Sequence, residues 1–571
     1  MTFTRGFHPD SINRRQFLTQ ASAALLATSA LAKAAAQAVD TAPSTVEVKT
    51  VYGRLRGMQG NKLTTFRGIP YAGSVSGANR FKAAPPLSPW EGVRDAVQLG
   101  APSLQPGRTS RGNEPAPSEE CLFLNVWTPA ADGRKRPVMF YSHGGGFTTG
   151  SGGASYQDGG NLARTWDVVV VATNHRLGLM GYLYLGDLGG VEYTGNQGVT
   201  DIRDGLKWVH DNIAAFGGDP NNVMIFGESG GGGKTSALYA MPSAAPYFNK
   251  ASIESGPGIR IYPRDSAAET TLMVLKQLGI EKADWRKLLD VPAEKLVEVQ
   301  VELGKQRSGP LTQGGGSKGM TGNPVPGGFG PVLDGVILPN HPFDPKAPDI
   351  SRSKPLIVGY NHDEMNFFFA QSRSTDIYEM DDAALRARLE KDLGENAGPV
   401  LEAYKMSRPE ASPADLYVAI TTARFAGIGE RTIAERKFAQ HGAPVYMYVF
   451  RHESDRLIPG TQHKMGAAHA AEIAYKFNNV QPRPANAATP QAGSPMGDTS
   501  PSSVQAAHNM SEFWSTFART GHPSAKGQPA WPAYNDKARP TMMIDAECKV
   551  INDPDPLERK VWDRIDAVTK T

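Results

Sequence analysis

The segment Asn222-Val-Met-Ile-Phe-Gly-Glu-Ser-Gly-Gly-Gly-Gly-Lys-Thr235 holds a serine where its hydroxyl could act as a nucleophile. The apolar residues 223–226 predict a buried strand, and residues 236–241 predict a helix that continues beyond the glycines. Between them lies G-x-S-x-G, from Gly227 to Gly231, with Ser229 at the bend. A bend sharp enough to lift the hydroxyl off the sheet leaves no room for neighbouring side chains, and glycine removes that clash. The helix that follows turns free N–H groups and a positive dipole end toward any negative charge formed at Ser229. An acyl-transfer nucleophile needs that geometry.

The same letters admit two other readings. Gly233-Lys234-Thr235 supplies the second half of a phosphate-binding loop, G-x-x-x-x-G-K-[ST]. Its first glycine would fall at Glu228, whose carboxylate would repel the phosphates. A glycine-rich turn with no chemistry is the remaining reading, and the rest of the chain must separate the three.

A serine hydroxyl is a weak nucleophile at neutral pH, so it needs a base, and the base needs an orienting acid. Glu364 follows closely on an expected strand at 356–358, and the histidines beyond it are His441, His452, His463, His469, His508 and His522. Spacing does not choose among them. His463, in a Gln-His-Lys setting, reads as a surface residue. A second glycine cluster, His143-Gly-Gly-Gly-Phe147, follows the apolar run 138–141. Successive N–H groups without side chains can converge on one oxyanion.

The elements that must position these groups are those of an α/β fold. Short β-like runs occupy residues 46–102, and strands are expected at 122–127, 138–141, 168–171, 223–226, 356–358, 445–450 and 542–544. Ile202, Leu206, Val209, Ile213 and Phe216 recur at helical spacing, an amphipathic helix that Gly217-Gly-Asp-Pro220 stops. Helices are also expected at 269–278, 285–305 and 507–520. Residues 376–440 read as helices interrupted at Pro409 and Pro413, a cap or side subdomain. Residues 308–330 and 481–504 are rich in small residues and proline and read as loops. Strand, helix, strand, turn and helix in succession fit a large, mostly parallel central sheet flanked by helices.

Composition narrows the function. Residues 1–36 carry four basic side chains and one acidic, which accounts for the whole formal charge of +3 over 571 residues. The remainder is neutral by count, so composition gives no support for nucleic acid or an anionic membrane as partner. No apolar run approaches the roughly 20 residues of a membrane span. Asn13-Arg14-Arg15-Gln16-Phe17-Leu18, a mild alanine-rich stretch, then Lys33 and Ala34-Ala35-Ala36 resemble a twin-arginine export leader. That predicts handling by the twin-arginine translocase, a mature chain starting near Gln37, and delivery to a bacterial periplasm or beyond. Residues 37–571 are then expected to form one domain with helical insertions around 376–440. Cys121 and Cys548 are the two cysteines, and both read as buried small hydrophobes. No C-x-x-C or H-E-x-x-H pattern supports a metal site.

Taken in order, Gly68-Ile-Pro-Tyr-Ala72, Glu119-Glu-Cys-Leu-Phe-Leu-Asn-Val126, His143 to Phe147, Asn174-His-Arg-Leu-Gly178, Gly195-Asn-Gln-Gly198, Phe216-Gly-Gly-Asp-Pro220 and Gly227 to Gly231 follow the pattern of type-B carboxylesterases. Pro331-Val-Leu-Asp-Gly335, Val358 to Glu364, His469-Ala-Ala-Glu-Ile473, and Phe513-Trp to Trp531-Pro-Ala-Tyr534 continue it, so the chain resembles a carboxylesterase of the cholinesterase type over nearly all of residues 46–555. The resemblance implies an α/β-hydrolase fold and a serine esterase acting on small-molecule esters without a cofactor. It implies Ser229 as nucleophile, Glu364 as acid, His469 as general base, and the N–H groups of Gly145, Gly146 and Gly230 as oxyanion donors. A non-catalytic binding protein on the same fold is the alternative, although such members typically lose triad residues. This sequence departs from the pattern at Gly230, where alanine is frequent, at Met365 (glycine), at His175 (tyrosine) and at Ser103, where relatives often carry the cysteine that pairs with the one matching Cys121. Glu228 is expected to support the turn as an ordinary buried, hydrogen-bonded carboxylate. Phe367, Phe368 and Phe369 are expected to pack in the core, with an aromatic pocket as the other reading.

Overall fold

A computed structural model describes residues 43–107, 113–306, 324–480 and 499–569. The expected leader and most of the two expected loops, 308–323 and 481–498, lie outside the described residues. Among the described residues one sheet has thirteen strands: β1 (Ser44–Lys49), β2 (Arg54–Gly60), β3 (Leu63–Pro70), β4 (Val93–Asp95), β5 (Phe123–Thr128), β6 (Arg136–Ser142), β7 (Val169–Thr173), β8 (Gly218–Glu228), β9 (Lys250–Glu254), β10 (Leu356–Asn361), β11 (Val445–Phe450), β12 (Pro540–Ile544) and β13 (Lys549–Asn552). Antiparallel β1, β2, β3 and β5 lead in from one edge, and β13 closes the other. Between them β7, β6, β8, β9, β10, β11 and β12 run parallel in that spatial order.

The parallel strands are apolar on both faces because helices cover both. Alternate residues of β8 divide between two cores, Val223 and Ile225 in one, Met224 and Phe226 in the other. The first core is sealed by helix α1 (Gln197–Asn212), through Val199, Ile202, Leu206 and Val209. Gly217, in the left-handed region at φ 79°, ends this segment. Helix α2 (Gly230–Ala240) follows β8 directly. The chain then builds α3 (Glu364–Gln371), and the cap helices α4 (Asp382–Leu393), α5 (Ala397–Ser407), α6 (Pro413–Thr422) and α7 (Ile428–Phe438). Ser412 and Asp415 form a capping box at the start of α6, with Pro413 at its first position. Short α8 (Glu472–Lys476) precedes α9 (Pro501–Thr520), which seals the second core through Ala507, Met510, Phe513, Trp514 and Phe517, and α10 (Pro556–Thr569) ends the described chain.

Residues of α4, α5, α6 and α10 form a third core with Met365 and Phe369 of α3. The helical insertion is thereby fixed to the element that begins at Glu364. Three local expectations change. The segment expected to be helical at 285–305 divides into a 3-10 turn (Lys282–Leu289) and a helix (Ala293–Gln306), because Pro292 cannot continue the hydrogen-bond ladder. The helix expected at 269–278 begins earlier, at Arg264. The expected loop 481–504 stops short of its end, because Ser500 caps α9 by accepting from Ser503 N–H. Cys121 and Cys548 are both free and buried, and burial pushes the Cys121 thiol up to about 12. No helix among the described residues is long and apolar enough to cross a membrane.

The end of β7 is tied to α1 by a buried ion pair. The guanidinium of Arg176 donates to both carboxylate oxygens of Asp201, at 2.8 and 2.7 Å, and the Arg176 N–H donates to the same carboxylate at 3.1 Å. Removing one partner leaves a buried charge uncompensated, so Asp201→Ala should cost about 3–5 kcal/mol. Chemical denaturation should show a lower midpoint; an unchanged midpoint would contradict this account of the β7–α1 junction.

Candidate active site

Three loops meet where the parallel strands end. β8 stops at Glu228 and α2 starts at Gly230, leaving Ser229 alone between strand and helix. Its φ of 59° and ψ of −122° are strained for a serine, at a cost of about 1–3 kcal/mol. Two backbone hydrogen bonds impose the conformation: Ser229 N–H donates to the Glu254 carbonyl at 2.8 Å, and Gly233 N–H donates to the Ser229 carbonyl at 3.1 Å. The Ser229 side chain does not cap its own helix, and it stays partly exposed between two buried neighbours.

The glycine cluster after β6 packs on this turn. A Cβ at Gly230 would come 2.1 Å from the Gly146 oxygen, and one at Gly231 would come 2.1 Å from the Ser142 oxygen. Alanine has no room at position 230 in this arrangement, which gives that departure a physical reason. Gly145 and Gly146 have positive φ, 86° and 61°, and both are exposed beside the buried Gly230. The Gly145 carbonyl accepts from the Thr149 N–H and hydroxyl, each at 3.0 Å.

Glu364 opens α3 and is completely buried. One carboxylate oxygen accepts from the Asn361 N–H at 2.8 Å, and the other lies 2.6 Å from His469 Nδ1. A carboxylate only accepts, so Nδ1 carries a proton and Nε2 is the ring nitrogen left to exchange one. The acid and histidine loops are joined at further points. Asp363 N–H donates to the Ala467 carbonyl and Ala467 N–H donates to the Asp363 carboxylate, both at 2.9 Å; the Asn361 amide donates to the Ala468 carbonyl at 2.8 Å. Asn361 also bonds Glu472, which shares buried Lys476 with Glu254, the residue whose carbonyl holds Ser229.

His469 Nε2 lies 3.2 Å from Glu228 Oε1, so the imidazole stands at the Ser229 turn. Glu228 is therefore not the ordinary hydrogen-bonded carboxylate expected: its Oε1 makes no hydrogen bond of good geometry among the described residues and faces the ring instead. Burial pushes the Glu228 carboxyl up, with His469 opposing. Burial pulls the His469 imidazole down, but Glu228 and Glu364 outweigh it and hold it above the ordinary histidine range. The phenylalanines after Glu364 also divide. Phe369 is in the cap core, stacked on Tyr417, whereas Phe368 and Phe367 lie 4.9 and 5.8 Å from the His469 ring. Phe425, in a π-helical turn between α6 and α7, adds a third ring 5.1 Å from it. Residue type did not announce Phe425; its chain position is far from every motif, and only the cap's packing brings it here.

The other histidines have different partners. His463 is partly buried, with Nε2 3.1 Å from the Tyr378 carbonyl. His522 meets the Tyr446 hydroxyl, and His508 faces Glu512. His452 lies between Asp545 and Ser503, at 2.7 Å from each. Ser503 is fully buried in the first turn of α9, so this serine–histidine–acid set fastens a helix end and has no access to substrate. The phosphate-loop reading fails on Lys234, which is fully buried and donates to the His143 carbonyl at 2.8 Å.

A family model described as the carboxylesterase family matches residues 44–562. The chain belongs to that family. It is 34% identical over 518 residues to the para-nitrobenzyl esterase of Bacillus subtilis (strain 168), covering 90% of this chain and 97% of that protein. It is 32% identical over 500 residues to the phenmedipham hydrolase of Pseudarthrobacter oxydans, covering 85% and 92%. A solved carboxylesterase of Geobacillus stearothermophilus superposes with a TM-score of 0.74 at 33% identity, over 90% of this chain and 99% of that one. This carboxylesterase has the α/β-hydrolase fold and is a carboxylic ester hydrolase acting on small-molecule esters.

The charge facing Nε2 can be removed separately. In Glu228→Gln the imidazolium loses one carboxylate neighbour, so the His469 titration, followed by the ring proton resonance in NMR, should move to lower pH. A shift to higher pH, or none, would contradict the placement of Glu228.

Proposed function

We propose that this carboxylesterase works through an acyl-enzyme on Ser229, with His469 as general base and acid and Glu364 as the orienting acid. His469 Nε2 takes the Ser229 proton as the hydroxyl oxygen attacks the ester carbonyl carbon. The carbonyl oxygen becomes an oxyanion, held by the N–H groups of Gly145, Gly146 and Gly230. Collapse breaks the bond to the alkoxy oxygen, and Nε2 returns the proton to the departing alcohol. Water then repeats the sequence on the acyl-enzyme, releasing the acid and restoring Ser229. Glu364 keeps Nδ1 protonated and stabilises the imidazolium that forms twice per turnover. The observation that carries this reading is the 2.6 Å bond between His469 Nδ1 and Glu364, made by a ring whose other nitrogen reaches the residue preceding Ser229. Phe367, Phe368 and Phe425 give the imidazole an apolar wall, which suits an ester with an apolar acyl or alcohol group.

Hydrolysis of a p-nitrophenyl acyl series tests the assignment. Ser229→Ala should lower kcat by about a millionfold, and adding His469→Ala should cost little more, because the triad acts as a unit. Additive losses, or an organophosphate adduct found by mass spectrometry on a residue other than Ser229, would overturn it.

We further propose export by the twin-arginine translocase to the periplasm or beyond, supported by Arg14-Arg15 and the small-residue stretch that follows. Lysine at both positions should leave the precursor in the cytoplasmic fraction; unchanged export would exclude this route.

A further inference from the structure

Lys234 is the charged residue of the phosphate-loop motif, and the esterase chemistry leaves it without a task. It rises from α2 five residues after Ser229, and its side chain is completely buried. A buried lysine is rare unless paired, yet among the described residues this one forms no ion pair. Its Nζ donates to the His143 carbonyl at 2.8 Å and lies 5.8 Å from the centre of the Phe147 ring. His175, the residue where tyrosine is frequent, stacks on the His143 ring at 4.7 Å, and neither of its ring nitrogens has a hydrogen-bond partner among the described residues. Burial pulls the Lys234 ammonium down to about 7, with Glu228 pulling the other way. Ammonium or amine, Nζ can donate the same bond.

The position of that bond is informative. His143 begins the loop that carries Gly145 and Gly146. The far side of the loop is held by Thr149 on the Gly145 carbonyl, and its middle rests against Gly230. An apolar side chain of equal length would fill the space around Nζ without the cost of desolvating an amine. We propose that Lys234 is a positioning residue of the oxyanion loop, gripping the His143 carbonyl so that the Gly145 and Gly146 N–H groups are aimed at the oxygen of an ester bound to Ser229. The inference rests on the acyl-enzyme reading above. It couples nucleophile and oxyanion donors through one helix, since Ser229 immediately precedes α2 and Lys234 lies within it.

The test compares wild type, Lys234→Met and Lys234→Gln in three measurements: thermal midpoint, kcat and KM on a p-nitrophenyl ester, and affinity for a trifluoromethyl ketone whose serine adduct places an oxyanion in the hole. Lys234→Met should keep or raise its midpoint and keep KM within about twofold, while kcat and ketone affinity both fall about 10- to 100-fold, the scale of a sub-ångström misplacement. Lys234→Gln, which retains a shorter donor, should show a smaller fall in both. Wild-type kcat and ketone affinity in Lys234→Met would overturn the proposal, as would a lower midpoint with higher KM and unchanged ketone affinity. If Lys234→Met does not fold, Lys234→Gln decides by the same ketone affinity, and an unchanged value overturns the proposal. An organophosphate adduct on wild-type Ser229 keeps the underlying reading separate: without it the acyl-enzyme account fails first, and with it a silent lysine variant removes the lysine proposal alone.

Discussion

The site depends on how closely three backbones approach one another. The turn at Ser229, the loop after β6 and the segment after β9 come together with glycine at each contact. A Cβ at Gly230 would meet Gly146, one at Gly231 would meet Ser142, and one at Gly256 would meet the Ser229 carbonyl. Side chains at these places would force the segments apart, and oxyanion donors work only when they already sit where charge will develop. The strained φ at Ser229 belongs to the same constraint. It persists because the end of β9 and the first turn of α2 hold the backbone on both sides.

The parallel sheet makes that approach possible. β6, β8, β9 and β10 are neighbours with their carboxyl ends at one edge, and each contributes one part of the site: the glycine loop, Ser229, the Glu254 carbonyl and Glu364. Histidine comes from the loop beyond β11. That loop is held less by the sheet than by reciprocal hydrogen bonds with the acid loop, from Asp363 to Ala467 and from Asn361 to Ala468. Behind them lies a buried charged set, Glu254, Glu472 and Lys476, with Trp514 donating to Glu254 at 2.7 Å. A set of charges in this position costs desolvation energy, and it links the end of β9, whose Glu254 carbonyl holds Ser229, to α8 just beyond His469. The cap attaches at the same place, because Met365 and Phe369 continue α3 from Glu364 into the third core.

Much of this was legible in the sequence where the physical signal is local. Val223 to Phe226 read as a buried strand and Ile202 to Phe216 as an amphipathic helix because period-two and helical patterns are written in consecutive residues. The bend at Ser229 was readable because only glycine tolerates its neighbours. Long-range partners were not readable in this way. Six histidines stood open on spacing alone, and it took the ordered motifs of a family to favour one. Glu228 looked like a structural carboxylate because its partner is 241 positions away by chain numbering, and Phe425 gave no sign because the π-helical turn that presents it is set by cap packing. Lys234 showed in the sequence only as half of a phosphate loop, a reading that Glu228 opposes, while its real partner, the His143 carbonyl, is a backbone atom that no residue type reveals.

The most direct test of the central claim is a crystal structure of the mature protein after reaction with a phosphonate ester. The account predicts phosphorus bonded to Ser229 Oγ, its charged oxygen within hydrogen-bond distance of the Gly145, Gly146 and Gly230 N–H groups, and His469 Nδ1 still bound to Glu364. Phosphorus on another residue, or its oxygen directed away from those three donors, would contradict it.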